Sequence, residues 1–242
     1  MKKFGFMVLS FIVAAASLTS CNTSSGDDYA HNQIFAVAHQ SSIGVYFESD
    51  DHQLLYPANN RVGSSYNPNE GDRVIISYNI LEQESLVGNF DYMIDLYSIS
   101  KVRWGEQASV ETTQAAESYG TEPVALYQEH MFSSTKEILN MALTFYGLDP
   151  SKHTFTIVEN NDPNYNPELK SNQYKNVELR HSDTENNTSR AYAEWVSFPL
   201  DELELDGYRG LIIDMKNFQS SQSYVTVTFT VFNSNQLKPA TL

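Results

Sequence analysis

The first half of the chain alternates short apolar segments with polar turns, a pattern typical of consecutive β-strands. We expect five strands here, at residues 34–38, 43–47, 54–56, 73–81 and 91–102. In the last of them, Tyr92, Ile94 and Leu96 lie at a spacing of two before the apolar pattern shifts phase, which predicts a β-bulge. Five strands separated by turns predict a small closed or nearly closed barrel over residues 34–116.

The second half of the chain predicts seven more strands. They cover residues 124–132, 138–146, 154–158, 177–180, 193–198, 211–215 and 225–232. The last segment alternates most regularly, with Val225, Val227 and Phe229 on one face and threonines on the other. The segment 138–146 also fits a helical face, but its β-branched and aromatic end favours a strand. Seven strands predict an antiparallel β-sandwich over residues 117–242, so the whole chain is predicted to be all-β.

The two predicted domains meet in a segment with few apolar residues, 106–122, which contains Gly120 and is followed by Pro123. Such a composition is typical of a short helix or a linker. We therefore place the expected domain boundary in this segment, between residues 116 and 117.

The N-terminus has the pattern of a bacterial lipoprotein signal peptide. Two lysines at positions 2 and 3 precede the apolar segment 4–16, and Leu18 lies three residues before Cys21. Residues 1–20 are therefore predicted to be removed by cleavage between Ser20 and Cys21, with a lipid attached to the Cys21 thiol. The alternative is an ordinary secretory signal, which would leave Cys21 as a free thiol. Because Cys21 is the only cysteine, the fold has no disulfide bond.

Residues 21–33 are small and polar, which predicts a tether between the lipid and the first domain. Within the tether, Asp27 and Asp28 resemble the acidic signal that directs lipoproteins of the Bacteroidota to the cell surface. We therefore expect an outer-membrane lipoprotein that is either periplasmic or surface-exposed. No later segment has an apolar run near 18 residues, so the lipid is the expected membrane contact.

Acidic residues outnumber basic ones in this chain. The 15 Lys and Arg against 30 Asp and Glu give a formal net charge of −15. Removal of residues 1–20 leaves 13 Lys and Arg against the same 30 Asp and Glu, so the mature charge is −17. Nucleic-acid binding requires clustered basic side chains that neutralise phosphates, and the sequence contains no such cluster. The charge instead favours solubility, or a basic partner such as a cationic peptide.

Several segments resemble a known family. Residues 45–52, 55–58, 66–74 and 91–97 are similar to the N-terminal OB domain of the NigD-like family. Residues 177–181 and 208–215 are similar to its C-terminal sandwich domain. This resemblance implies a two-domain lipoprotein of the Bacteroidota. The founding member was proposed as an immunity protein in a bacteriocin operon, while the function of the family at large is unknown. The resemblance implies no catalytic residues.

Two histidine-containing motifs are weak candidates for chemistry. His52 follows Asp50 and Asp51, but neighbouring residues at a strand end point in different directions, so a hairpin turn is expected. The His-Ser-Asp tripeptide at 181–183 contains the residue types of a hydrolase triad, but three consecutive residues cannot converge as a triad requires. We therefore predict no catalytic residue.

Two acidic segments are expected to be ordinary turns. The segment 162–173 begins like a calcium-binding loop, but Pro167 stands where the loop needs glycine, and Gln173 stands where it needs an acid. The acidic run 201–206 precedes Gly207 and is expected to be a solvated loop. We therefore predict no metal and no cofactor.

Aromatic residues are the better lead, because 15 Tyr and 13 Phe exceed what a core of this size usually requires. OB barrels bind ligands on one open face, where tyrosines would stack on sugars, or on bases in relatives with a basic groove. In this acidic chain we expect a sugar or a peptide instead. The alternative role of these aromatic residues is packing within the strands. Three functions stay open. The first is a non-catalytic envelope protein that binds a peptide, protein or glycan through the barrel face or the interdomain groove. The second is bacteriocin immunity, and the third is an envelope hydrolase, which would require convergent carboxylates or a histidine beside a nucleophile. We expect no such catalytic group.

Overall fold

The computed structural model describes residues 32–58, 66–81, 89–128, 132–185, 190–218 and 223–230. The predicted signal peptide, most of the tether, and the cleavage and lipidation site at Ser20 and Cys21 lie outside the described residues. Within them the fold is all-β, as predicted, apart from one short α-helix and one 3₁₀ turn. No helix in this part of the chain is long and apolar enough to cross a membrane.

Five strands close into a barrel, which confirms the predicted N-terminal domain. They are β1 (Asn32–Ser41), β2 (Gly44–Ser49), β3 (Leu54–Pro57), β4 (Arg73–Ile80) and β5 (Tyr92–Lys101). Their order around the barrel is β1-β2-β3-β5-β4, and β4 pairs with β1 to close it. Strand β1 begins two residues earlier than predicted, so it includes the last two residues assigned to the tether.

Alternate residues of the barrel strands fill its interior, because successive side chains of a strand point to opposite faces. Phe47 on β2, Leu55 on β3 and Ile76 on β4 are buried. Tyr46 and Tyr56, each next to one of these core residues, therefore lie on the outer face. The same alternation that builds the core also places aromatic rings outside it.

The predicted bulge is present in β5. Ser77 of β4 lies opposite Ser98, whereas the next residue, Tyr78, lies opposite Leu96. One extra residue, Tyr97, is therefore inserted in β5. This insertion lets apolar residues on both sides of it point into the barrel, although their spacing in the sequence changes there.

Ten strands form the sandwich in the described part of the chain. They are β6 (Arg103–Trp104), β7 (Glu106–Val110), β8 (Ala125–Leu126), β9 (Phe132–Ser134), β10 (Ile138–Gly147), β11 (His153–Asn160), β12 (Tyr174–Asp183), β13 (Arg190–Pro199), β14 (Gly210–Met215) and β15 (Tyr224–Thr228). One sheet has the order β6-β13-β10-β8, with β9 also paired to β10, and the other has the order β15-β14-β12-β11-β7. A 3₁₀ turn (Pro150–Lys152) precedes β11.

The domain boundary differs from the sequence prediction. Strands β6 and β7 belong to the sandwich sheets, so this domain begins at residue 103 and not at 117. The predicted linker, 106–122, contains both β7 and the helix α1 (Thr113–Glu117). Strand β7 is not evident from the sequence, because its buried residues, Ala108 and Val110, are small. They pack with α1 in a cluster that is separate from the main core of the sandwich.

The sandwich is confirmed, but its strand number and pairing differ from the prediction. The predicted segment 124–132 holds β8 and the start of β9, and the ambiguous segment 138–146 is a strand, as expected. Three pairings are parallel, namely β6 with β13, β7 with β11 and β12 with β14. The sequence predicts only antiparallel pairs here. Alternation shows which face of a strand is buried and not which direction its partner runs.

The two sheets enclose one apolar core. Leu139 and Phe145 of β10 pack with Phe155 of β11, Phe198 of β13 and Ile213 of β14, and all five side chains are buried. Burial of each such side chain contributes about 1.5–3 kcal/mol to folding. This core fixes the positions of the strands whose outer faces are described below.

A buried arginine joins the barrel to the sandwich. Arg73, the first residue of β4, has no exposed surface. Its Nη2 donates to Asp50 Oδ2 at 2.7 Å and to Asn140 Oδ1 at 2.9 Å, and its Nε donates to Ser197 Oγ at 3.0 Å. The guanidinium carbon lies 5.4 Å from the centroid of the Phe35 ring. Because Asn140 and Ser197 belong to the sandwich, one charged group ties both domains together.

Candidate functional site

The outer face of the barrel carries a row of four aromatic rings, which we call the aromatic row. Its members are His39 of β1, Tyr46 of β2, Tyr56 of β3 and Phe90, which lies just before β5. The three strand residues face outward because their neighbours along each strand fill the barrel core. The row therefore follows from the alternation of β1, β2 and β3.

Each ring of the aromatic row contacts the next. The centroids of His39 and Tyr46 are 5.0 Å apart with an interplanar angle of 21°. Those of Tyr46 and Phe90 are 5.2 Å apart at 55°, and those of Tyr56 and Phe90 are 5.0 Å apart at 30°. All four residues are half-buried. The result is a continuous apolar strip that stays in contact with solvent.

Carboxylates border one end of the aromatic row. His39 Nδ1 lies 2.8 Å from Glu70 Oε1, and His39 Nε2 lies 3.3 Å from Glu48 Oε2. The backbone N–H of Gln40 donates to Glu70 Oε2. This bond and the contact with His39 lower the pKa of Glu70, so this carboxyl stays ionised. At this end of the row, the carboxylate of Glu70 is therefore a negatively charged hydrogen-bond acceptor.

The other end of the row rests on the β1–β2 hairpin. The hydroxyl of Tyr56 donates to the carbonyl of Ile43 at 2.7 Å, and Ile43 itself is 48% exposed. Gly44 follows with a φ of 126°, a conformation that side chains with a Cβ rarely adopt. This glycine lets the hairpin turn tightly enough to lie against Tyr56.

Aromatic faces bordered by carboxylates bind two kinds of ligand. Sugar rings and apolar side chains stack on the rings, and the carboxylates accept hydrogen bonds from hydroxyl or ammonium groups. Within the described part of the chain, the cation–π contacts of arginine and lysine involve rings outside the aromatic row. The charged side chains described beside the row are the carboxylates of Glu48 and Glu70, so the surface at this end of the row is acidic.

A groove of about 570 Å³ lies on the outer face of the second sandwich sheet. Its floor includes Glu178 of β12 and Asp214 of β14, which are direct partners in the parallel pairing of these strands. Loop residues 166–168 and 120–122 border it. The sequence does not reveal this pair, because parallel pairing brings together residues that are distant in the chain.

The two carboxylates of the groove are held differently. Glu178 is buried, accepts a hydrogen bond from Asn160 Nδ2 at 2.6 Å and forms an ion pair with Arg180. Asp214 Oδ2 accepts a hydrogen bond from the hydroxyl of Tyr165 at 2.5 Å. Burial, with the charge of Glu178 nearby, raises the pKa of Asp214. Burial and the bond to Asp214 also raise the pKa of Tyr165.

The His-Ser-Asp tripeptide forms no triad, as predicted. It lies in β12, where His181 and Asp183 are buried and Ser182 is only half-buried on the opposite face. His181 Nε2 instead lies 2.9 Å from Nδ1 of His153, a buried residue of β11. The carbonyl of Pro123 lies 3.2 Å from His181 Nδ1, so that nitrogen carries the proton and Nε2 accepts from His153. The sequence does not reveal this histidine pair.

The remaining candidate motifs are turns, as predicted. His52, with a φ of 61°, closes the β2–β3 hairpin and contacts Glu48 and Glu137. Asp162 accepts hydrogen bonds from the backbone N–H groups of Thr113 and Asn164. The four acidic residues of the run 201–206 are exposed. Among the residues that the structure describes, no three His, Cys, Asp or Glu side chains are grouped to hold a metal ion.

The fold defines a two-domain all-β protein in which an OB barrel precedes a β-sandwich. The model of the NigD-like N-terminal OB domain matches residues 36–102, and that of the NigD-like C-terminal beta sandwich domain matches residues 107–229. The chain therefore belongs to the NigD-like family, as its sequence resemblance predicts. The N-terminal match ends at residue 102, which agrees with a domain change before β6. A comparison with curated proteins gives no match.

Solved structures share this architecture. A protein of unknown function from Bacteroides vulgatus is 19% identical, with a TM-score of 0.65 over 86% of this chain and 94% of that one. A candidate lipoprotein from Bacteroides fragilis is 11% identical, with a TM-score of 0.55 over 84% and 100%. A NigD-like immunity protein from Bacteroides caccae is 19% identical, with a TM-score of 0.52 over 84% and 94%. At these identities the likeness shows the fold alone.

Proposed function

We propose that this chain is a non-catalytic, lipid-anchored protein of the cell envelope that binds a peptide, a protein or a glycan through the aromatic row. The row itself is the observation that carries the proposal. Its two tyrosines lie on β2 and β3, and its other two rings lie on β1 and just before β5. Strands 2 and 3, with the loops beside them, are the region where OB barrels bind extended polymers. The ligand therefore lies across the strands and stacks on the rings.

The charge around the aromatic row supports a sugar or a peptide rather than an oligonucleotide. Glu48 and Glu70 border the rings, and the mature chain carries a formal charge of −17. A phosphate backbone would be repelled by this surface, because it requires basic side chains for binding. Hydroxyl groups and ammonium groups, in contrast, gain hydrogen bonds from the same carboxylates.

Screening the mature protein on arrays of glycans and peptides tests this proposal. We expect at least one ligand class to be retained, and we expect Tyr46→Ala and Tyr56→Ala each to weaken binding of the retained ligand about tenfold, because each removes one stacking ring. Equilibrium titration of the retained ligand measures the effect.

Tyr127→Ala is the matched control for these variants. Tyr127 is 40% exposed but belongs to the sandwich, next to β8, so its loss should leave the affinity unchanged. If all three variants bind equally, the ligand lies outside the aromatic row. If no array ligand is retained, the binding function is contradicted.

Bacteriocin immunity is a second candidate for the same surface. The name of the Bacteroides caccae structure supports it, as does the acidic charge, which suits a cationic toxin. This hypothesis requires a gene for a cationic peptide beside this one and protection of cells that express the chain. A neighbourhood without such a gene, together with unchanged sensitivity, would reject it.

The lipid anchor gives a separate prediction. We expect Cys21→Ser to move the protein from the membrane fraction to the soluble fraction, because acyl chains contribute about 0.8 kcal/mol per buried methylene. Fractionation followed by immunoblotting measures the shift. Ser24→Ala, in the same tether, is the control and should stay with the membranes. Membrane retention of Cys21→Ser would contradict lipidation, and protease treatment of intact cells distinguishes surface from periplasmic placement.

A further inference from the structure

His52, in the turn between β2 and β3, has a carboxylate at each of its ring nitrogens. Its Nδ1 lies 2.8 Å from Glu48 Oε1, and its Nε2 lies 3.0 Å from Glu137 Oε2. Glu48 belongs to β2 of the barrel, whereas Glu137 directly precedes β10 of the sandwich. The ring of His52 therefore bridges the two domains.

This geometry requires the protonated form of the ring. An ionised carboxylate accepts hydrogen bonds but donates none, so each ring nitrogen that faces one must carry a proton. Neutral imidazole has one N–H group, whereas imidazolium has two. The hydrogen bond to Glu48, followed by that to Glu137, raises the pKa of His52 above its ordinary value of 6.5. Loss of one proton would leave a nitrogen lone pair facing a carboxylate, which is repulsive.

The backbone of His52 is unusual for a histidine. Its φ is 61°, and among the described residues it is the one non-glycine residue with a positive φ. Glycine and asparagine adopt this left-handed conformation most readily. The turn therefore uses a residue that its backbone does not favour, and the side chain of that residue reaches both carboxylates. Asparagine at this position would keep the turn and remove the imidazole.

The other polar and charged groups beside His52 and its two carboxylates have partners of their own. Glu48 Oε2 lies 3.3 Å from Nε2 of His39, a member of the aromatic row. The remaining contacts are those of His39 with Glu70, of Lys136 with Asp206, of Asp50 with Arg73 and of Asp51 with Ser49. Glu48 and Glu137 are therefore the groups that respond directly to the charge of His52, and Glu48 is shared with the aromatic row.

We propose that His52, Glu48 and Glu137 form a pH-dependent clasp between the barrel and the sandwich. The protonated ring binds both carboxylates, and the neutral ring releases one of them. The turn that contains His52 joins β2 to β3, the strands that carry Tyr46 and Tyr56. The closed clasp therefore fixes the position of the aromatic row relative to the sandwich, and a rise in pH loosens it.

Titration of the His52 ring in the intact mature protein, followed by NMR, tests the clasp. We expect Glu48→Gln and Glu137→Gln each to lower the titration midpoint of His52, because each removes one negatively charged acceptor. Glu202→Gln removes the same charge from the exposed run 201–206 and is the matched control, with an unchanged midpoint. A midpoint that is the same in Glu137→Gln as in this control would overturn the proposal.

A double-mutant cycle of His52→Asn and Glu137→Gln measures the coupling across the domains. At about pH 5.5 we expect the interaction to change the equilibrium constant of unfolding about twofold to fivefold, the usual range for exposed ion pairs. This stabilisation is complete below pH 6.5 and is lost as the pH rises through the raised pKa of His52. At about pH 9 the coupling should therefore be absent. Coupling that is equal at both pH values, or absent at both, would contradict the clasp.

The clasp does not depend on a ligand of the aromatic row, because both measurements use the protein alone. A failed array screen therefore contradicts only the binding function. An unchanged midpoint or an uncoupled cycle contradicts only the clasp.

Discussion

Replacing Arg73 with methionine is expected to lower the free energy of unfolding by about 3–5 kcal/mol. Methionine keeps much of the side-chain volume but removes every hydrogen bond to Asp50, Asn140 and Ser197. The carboxylate of Asp50, which is 12% exposed, would then lie near the domain junction without its cation. An unpaired carboxylate in this largely buried position lowers the free energy of unfolding by more than the loss of the ion-pair attraction alone.

Chemical denaturation of the mature protein measures this effect, and Lys101→Met is the matched control. Lys101 is 57% exposed and pairs with Asp72 at 2.9 Å, so its loss should change stability by no more than about 1 kcal/mol. Adding Asp50→Asn to Arg73→Met should restore part of the free energy of unfolding, because the unpaired carboxylate is then absent. If Arg73→Met is as stable as Lys101→Met, the junction is not held by the arginine.

Acidification is expected to destabilise the protein through His181. Burial, with His153 adding to it, lowers the pKa of His181 from 6.5 to about 4. Above pH 6.5 this histidine is neutral in both the folded and the unfolded chain, so neither state takes up a proton and stability does not depend on pH through this group. Below pH 6.5 the unfolded chain takes up a proton that the folded chain does not, and stability falls until the pH reaches about 4. Between pH 7 and pH 5 the expected loss is about 2 kcal/mol.

His181→Gln isolates this contribution, because glutamine keeps hydrogen-bonding groups but does not titrate in this range. The free energy of unfolding of the variant should depend less on pH than that of the wild type. Glu194 and Asp214, whose pKa values are raised by burial, act in the opposite direction, and the comparison of the two proteins cancels them. His52→Asn is the control. Hydrogen bonds to Glu48 and Glu137 raise the pKa of His52, so removing this histidine should not reduce the loss of stability on acidification. Equal pH dependence of His181→Gln and the wild type would refute the assignment.

The barrel was predictable because its strands carry local signals. Alternating apolar residues mark β1 to β5, and even the bulge at Tyr97 leaves a visible phase shift in the sequence. Strand β7 gave no such signal, since its buried side chains are alanine and valine and pack on a short helix. Local pattern therefore predicts an element well only where the strand contributes to a large core.

The candidate sites depend on contacts that no local pattern contains. His39 and Glu70 are 31 residues apart, and Arg73 and Ser197 are 124 residues apart. The acidic pair of the groove forms only because β12 and β14 are parallel neighbours, which alternation does not specify. The excess of tyrosine predicts a ligand-binding face, but only the closed barrel shows which tyrosines lie together on its outer surface.

Backbone hydrogen exchange, measured with and without a saturating array ligand, tests binding at the aromatic row most directly. A ligand bound at the aromatic row should slow exchange in β2 and β3 and around Phe90 and leave exchange in the sandwich unchanged. Protection confined to the sandwich, or an identical exchange pattern in the presence of the bound ligand, would contradict it.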